Sequence, residues 1–210
     1  MLTVLQRPLQ RWRQRVARRY GTWRGAVRAL LAWGALRAGL LQRYRLRHPG
    51  RVRRVVFVCL GNICRSAYAH RVAAELGMTV ASIGLSTSTG AASPAPAVQA
   101  ARRRGVDLSA HRATDLQDFR VRPGDLFLVM ETRQAAELQR RLGHRADVQV
   151  ALLGLWCRPA MPHLHDPFTL SDGYFDQCFD RVRQSVLRLH RELPQLSRRS
   201  RPAAASGPQP

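Results

Sequence analysis

The rhythm of apolar positions along the chain changes at Arg54. Just after it, Val55-Val56-Phe57-Val58 is a short, wholly apolar run ending in a glycine-containing turn, the mark of a strand buried on both faces. Three further strands are predicted at Thr79 to Leu85, Asp125 to Met130 and Val148 to Leu153. Between them lie helical stretches, Ala67 to Leu76, Ala97 to Arg104 and Thr132 to Leu142, each followed by a glycine that can close it. Phe175, Phe179, Val182, Val186 and Leu189 then recur on one face of a final helix. Strands alternating with helices predict an α/β fold: a four-stranded parallel sheet with helices on both faces. A site on such a sheet sits at the carboxyl ends of the strands.

Residues 1–53 have a different pattern and predict a basic, helix-prone extension closed by His48-Pro49-Gly50. Its most apolar part, Ala26 to Leu41, is interrupted by Arg28 and Arg37. The uninterrupted run between them is far short of the roughly 20 residues that cross a bilayer, and no signal-peptide cleavage pattern follows. On a helical wheel Trp23, Val27, Leu30, Trp33 and Leu41 share a broad face, with Arg24, Arg28 and Arg43 opposite and Arg37 intruding. That arrangement predicts an interfacial helix on an anionic membrane surface, contributed by residues 1–50. A solvated basic extension, or a start assigned too far upstream, would also fit. Residues 194–210 are rich in Ser, Arg, Pro and Ala without periodicity, which predicts a disordered tail. The folded domain is therefore expected at 54–193.

Charge sharpens that division. The chain of 210 residues is formally +22 at pH 7, but the first 54 residues hold fifteen arginines and no acid. From Val55 to Leu193 seventeen arginines face thirteen acids, close to balance. The basicity belongs to the extension and not to the domain. Trp12, Trp23 and Trp33 lie among the arginines, yet no nucleic-acid motif accompanies them, so nucleic acid is not an expected partner. The absence of Lys reads as a coding bias toward Arg. Four cysteines (Cys59, Cys64, Cys157, Cys178) do not make a disulfide scaffold, and a reducing, cytoplasmic compartment fits them best.

The chemistry is expected in Cys59-Leu60-Gly61-Asn62-Ile63-Cys64-Arg65-Ser66, which lies directly between strand and helix. A loop wrapping into a helix N-terminus points several backbone N–H groups at one spot, and the helix dipole favours an anion there. The same field favours a thiolate, which makes Cys59 a candidate nucleophile. Arg65 supplies a planar fork for two phosphate oxygens, and Ser66 a hydroxyl for the sulfur. No metal or cofactor is called for.

Val58 to Ser66 resembles the signature loop of the low-molecular-weight protein tyrosine phosphatases. Gly105 to Ala113 is similar to that family's segment after its second helix, Asp125 to Glu131 to its third strand, and His165-Asp166-Pro167-Phe168 to its acid loop. The resemblance implies hydrolysis of protein phosphotyrosine through a cysteinyl-phosphate. Asp166 would act as acid and then as base, and Leu60 to Ser66 would bind phosphate. It also implies a redox-protective role for Cys64, a bracing role for Asn62, and a bacterial tyrosine kinase as a partner. Ile63 stands where the arginine-phosphate branch of the family carries Thr. Several positions depart from the family. Ala67 replaces a Pro, His70 stands in place of an acid, and Ser86 to Pro94 is short and without the aromatic that lines the phosphotyrosine cleft. Thr169 stands where a second aromatic often follows Phe168. Two alternatives remain open at this point. One is an arsenate reductase on the same fold, for which Cys157 and Cys178 lie too far apart in sequence to suggest a relay. The other is a non-enzymatic anion- or nucleic-acid-binding module.

Overall fold

A computed structural model describes residues 3–143 and 145–197, with the backbone alone for residues 3–9. Four strands, β1 (Arg54–Cys59), β2 (Val80–Gly84), β3 (Asp125–Val129) and β4 (Gln149–Leu152), form one sheet in the order β2-β1-β3-β4. Every neighbouring pair is parallel. The helices are α1 (Thr3–Tyr20), α2 (Trp23–Arg37), α3 (Arg65–Glu75), α4 (Ala95–Arg102), α5 (Thr132–Arg141) and α6 (Asp172–Glu192). The predicted sheet and the loop after its first strand are both present.

The pleat of β1 divides its apolar side chains between two cores. Val55, Phe57 and Cys59 join one cluster, which α3, α4 and α6 cover; Val56 and Val58 join the other. The second cluster takes Ala135 and Leu138 from α5, and one short helix cannot roof four strands. The chain before β1 completes that roof. Leu41 and Tyr44 are buried in the same cluster, and the turn Gln42–Tyr44 lies beside β4.

The extension is therefore packed on the domain along much of its length. Helix α1 runs against α6, and Trp33 of α2 donates its indole N–H to the carbonyl of Ala160. The shared apolar face expected for the extension is corrected by the structure. Helix α2 buries its small residues Gly25, Ala29 and Ala32, and turns Trp23, Val27, Leu30 and Leu31 outward. Trp33 is half-buried, and Leu41 lies beyond the end of the helix and points into the core. Small side chains face the domain because they let the backbone approach it closely.

The carboxyl end also differs from expectation. A 3-10 turn spans Pro194–Leu196, Leu196 is buried, and its carbonyl accepts from Thr79 N at 3.0 Å. The domain thus continues to Ser197, which bridges to Met78. The rest of the expected tail, 198–210, lies outside the described residues. No described helix is long and apolar enough to cross a membrane.

Candidate active site

The order β2-β1-β3-β4 places a topological switch between β1 and β3, where the loops leaving their carboxyl ends diverge and a crevice opens. The loop after β1 fills it. Asn62 is wholly buried and adopts φ 51°, a left-handed conformation that Asn tolerates better than most residues. Its side-chain Nδ2 donates to Ser66 Oγ at 2.8 Å, and its Oδ1 accepts from Thr114 N at 2.9 Å. Its carbonyl oxygen lies 2.7 Å from His111 Nε2. These bonds tie the loop to residues 111–114 and hold the turn open.

Cys59 Sγ accepts from the backbone N–H of Asn62 at 3.2 Å and lies 3.0 Å from Ser66 Oγ. Because Ser66 Oγ already accepts from Asn62 Nδ2, its own proton is free to go to the sulfur. The sulfur therefore faces donors, which is the arrangement a thiolate needs. Cys64 is buried beside it at the start of α3. Burial first, then the neighbouring Cys59 and Asp166, push the Cys64 thiol far above its ordinary range. All four cysteines are buried and free. Cys157 Sγ lies 3.1 Å from Ser185 Oγ, and Cys178 Sγ points at the carbonyl of His165.

Arg65 is 1% exposed and held from three directions. Nη1 donates to Glu131 Oε1 at 2.7 Å and to the carbonyl of Leu164 at 2.8 Å, and Nη2 meets Asp166 Oδ2 at 2.7 Å. Its Nε is buried without a partner among the described residues. Nε and Nη2 form the edge that a phosphate could take bidentately. Burial alone would raise Glu131, but the Arg65 charge and hydrogen bond, with help from His163 and Arg133, hold it down to about 2. Burial alone would likewise lower Arg65; Asp166, Cys59 and Glu131 outweigh it and keep the guanidinium charged.

Asp166 lies in the loop between β4 and α6 with its side chain one-third exposed. Leu164 N bonds the carbonyl of Met130, which anchors this loop to the end of β3. Asp166 Oδ1 accepts from Phe168 N at 3.2 Å, and Thr169 follows at φ 63°. Leu60 and Phe168 stand about half exposed, while Ile63 is half-buried. Thr87 N bonds Asp115 Oδ2, and Thr89 Oγ1 bonds Asp118, so the segment after Ser86 is tied down and offers small side chains alone.

The structure brings the expected Cys59, Arg65, Ser66 and Asp166 together, and adds Glu131, His111, Thr114 and the Leu164 carbonyl, to which the sequence assigned no role. Glu131 had a visible signal. An acid directly after a fully apolar strand is bound for the interior and needs a cation there. Thr22 carried no signal, yet its Oγ1 lies 3.2 Å from His165 Nε2, next to the acid loop. Among the described residues no group of three or more His, Cys, Asp or Glu is placed to hold a metal.

The family model for low molecular weight phosphotyrosine protein phosphatase matches residues 54–199. A curated relative, the probable low molecular weight protein-tyrosine-phosphatase EpsP of Ralstonia nicotianae, is 36% identical over 92 residues. That match covers 43% of this chain and spans 63% of the relative's length. The crystal structure of the tyrosine phosphatase AmsI of Erwinia amylovora is 28% identical, with a TM-score of 0.56, covering 70% of this chain and 95% of that one. The YwlE arginine phosphatase of Geobacillus stearothermophilus shares the fold alone, at 21% identity and a TM-score of 0.58 over 68% of this chain and 93% of its own. With the loop, its bracing Asn and the buried Arg–Glu pair in place, the family match leaves one assignment: the chain belongs to the low-molecular-weight phosphotyrosine protein phosphatase family.

Proposed function

We propose that the chain hydrolyses protein phosphotyrosine, with Cys59 as nucleophile, Arg65 as phosphate clamp and Asp166 as acid and base. The observation that carries this is the Cys59 sulfur held 3.0 Å from Ser66 Oγ, at the mouth of a helix whose first residue is Arg65. Substrate phosphate takes Arg65 Nε and Nη2 and thereby releases Asp166 from its ion pair, and the freed carboxylate takes up a proton from solvent. The thiolate attacks phosphorus, the bond to the phenolic oxygen breaks, and Asp166 gives that oxygen its proton. The Asp166 carboxylate then takes a proton from water, whose oxygen attacks phosphorus. The S–P bond breaks, phosphate leaves, and Ser66 stabilises the departing thiolate. Leu60, Gly61, Asn62, Ile63, Cys64 and Ser66 provide the loop that surrounds the equatorial oxygens.

The test is hydrolysis of p-nitrophenyl phosphate by the full chain and by C59S, which should abolish it; activity retained in C59S would end the proposal. Peptides bearing phosphotyrosine, phosphoserine and phosphoarginine then fix the substrate class. A bacterial tyrosine kinase is the partner proposed for this chemistry. The half-exposed Phe168 supports a phenyl-binding wall, and the small side chains after Ser86 predict that the wall opposite is weak.

The extension is proposed to rest on an anionic membrane surface from the cytoplasmic side. Supporting this are the exposed Trp12, Trp23, Val27, Leu30, Leu31 and Leu40, set in a segment rich in Arg and without an acid. Deleting residues 1–50 is a poor test, because it strips Leu41 and Tyr44 from the core. The triple variant W23E/L30E/L31E keeps the core. Flotation of the full chain with phosphatidylglycerol vesicles, lost in that variant, is the expected result; equal flotation of both would overturn it.

A further inference from the structure

The family match begins at residue 54, so nothing in it assigns a role to the chain before β1. Yet the elbow between α1 and α2 rests on the loop that carries Asp166. Gly21 turns the chain there with φ 78°. A Cβ on Gly21 would lie 2.7 Å from Leu170 Cδ1, 2.8 Å from Tyr174 Cε1 and 2.9 Å from His165 Cδ2. A Cβ on Gly25 would lie 2.2 Å from the Tyr20 carbonyl oxygen and 2.8 Å from His165 Cδ2. Two glycines one helical turn apart thus let the elbow settle directly on the His165 imidazole.

Thr22 sits between them as the N-cap of α2. Its Oγ1 accepts from Gly25 N at 2.9 Å and meets His165 Nε2 at 3.2 Å. One hydroxyl therefore caps the start of the helix and holds the ring. On its other side the His165 carbonyl accepts from Tyr174 OH at 3.1 Å, and the preceding Leu164 is fixed through both its N–H and its carbonyl. His165 Nδ1 is buried without a partner among the described residues, and burial pushes the ring toward its neutral form. A neutral ring gripped at one nitrogen by Thr22 is a mechanical link, not a charge. The residue it precedes is Asp166, whose one-third exposed carboxylate is left with the Phe168 N–H once phosphate takes Arg65, so that its aim then rests on its backbone.

We infer that Thr22, acting through His165, is a positioning residue for Asp166, so that the extension completes the active site of the domain. This rests on the hydrolase proposed above, with Asp166 protonating the leaving oxygen. Misplacing that acid should hurt poor leaving groups and spare good ones, because a weakly basic phenolate departs without a proton.

The experiment compares kcat/KM for phenyl phosphate and p-nitrophenyl phosphate in the full-length wild type, T22V, T22S and G25A, with D166N as reference. T22V keeps the shape of the side chain and removes its hydroxyl, and T22S restores the hydroxyl. T22V and G25A should lose about tenfold or more on phenyl phosphate, and no more than about twofold on p-nitrophenyl phosphate. T22S should recover most of the loss. Equal losses on both substrates, or none on either, would overturn the inference. The imidazole 15N resonances of His165 in wild type and T22V give a readout that needs no turnover. A shift at Nε2 confirms the link even if the chain hydrolyses neither ester, in which case it is the proposed function that fails. Unchanged resonances sink the link itself, whatever the kinetics show.

Discussion

Glu131 Oε1 lies 2.7 Å from Arg65 Nη1, and both side chains are shut off from solvent. The carboxylate at the end of β3 thereby fixes which edge of the guanidinium faces the loop, and leaves Nε and Nη2 for the anion. Removing one partner of such a pair strands the other charge in a poorly polar interior, at a cost of about 3–5 kcal/mol. E131A should therefore lower both the unfolding midpoint and kcat/KM, whereas E131Q, which keeps the shape and a hydrogen-bond acceptor, should lose activity more than stability. A thermal melt beside p-nitrophenyl phosphate kinetics decides it. E131A unchanged in both would deny the pair any role.

The same pair sets an acid limit to folding. Arg65 holds Glu131 at about 2, below the ordinary value of 4.5. A group depressed on folding adds stability that is fully present above the unfolded value and is lost as pH falls through the folded one. Urea midpoints should hence fall between about pH 4.5 and pH 2 more steeply in wild type than in E131Q, measured by fluorescence. Parallel curves would show that other acids govern the transition.

Asn62 combines a left-handed turn, a bond to Ser66 and a bond to the Thr114 amide in one residue. N62A keeps the unfavourable φ and loses both amide bonds, each about 1 kcal/mol or more when a buried partner is orphaned. N62G relieves the φ but loses the same bonds. Both variants should lower kcat about tenfold or more, with N62G the more stable of the two. N62G with wild-type kcat would show that backbone geometry alone builds the loop.

Tyr44 tests whether the extension belongs to the fold. It is 2% exposed in the cluster that α5 only partly covers. Y44A should destabilise the chain by about 3–5 kcal/mol, the usual cost of emptying a buried aromatic site. Chemical denaturation measures this directly; a loss below about 1 kcal/mol would place the extension outside the cooperative unit.

Cys64 is expected to protect Cys59 by forming a reversible disulfide under oxidation. Peroxide-treated wild type should regain activity with a dithiol, and C64A should not. Burial holds the Cys64 thiol protonated, so protection should be slower than inactivation at low peroxide doses. Equal recovery of the two proteins would leave Cys64 as a packing residue.

The strand Val55 to Val58, the loop that follows it and the Asp-Pro at 166 could be located without coordinates, because each depends on neighbours in sequence. An apolar run needs burial on both faces, and a loop opening a helix points its amides at one spot whatever surrounds it. The fold class followed from that alternation alone. Glu131 was visible as an acid after a buried strand, but its partner was not, since the pairing closes a loop of dozens of residues. Which face of the extension is buried was misjudged for the same reason. Its charge and its large apolar residues are properties of the chain, whereas the choice to bury Gly25, Ala29 and Ala32 depends on how closely the domain lets a helix approach. Local physics picked out the candidate nucleophile, the candidate clamp and the strand they hang from. Packing between distant segments decided what holds the clamp, what roofs the sheet, and what rests against the acid loop.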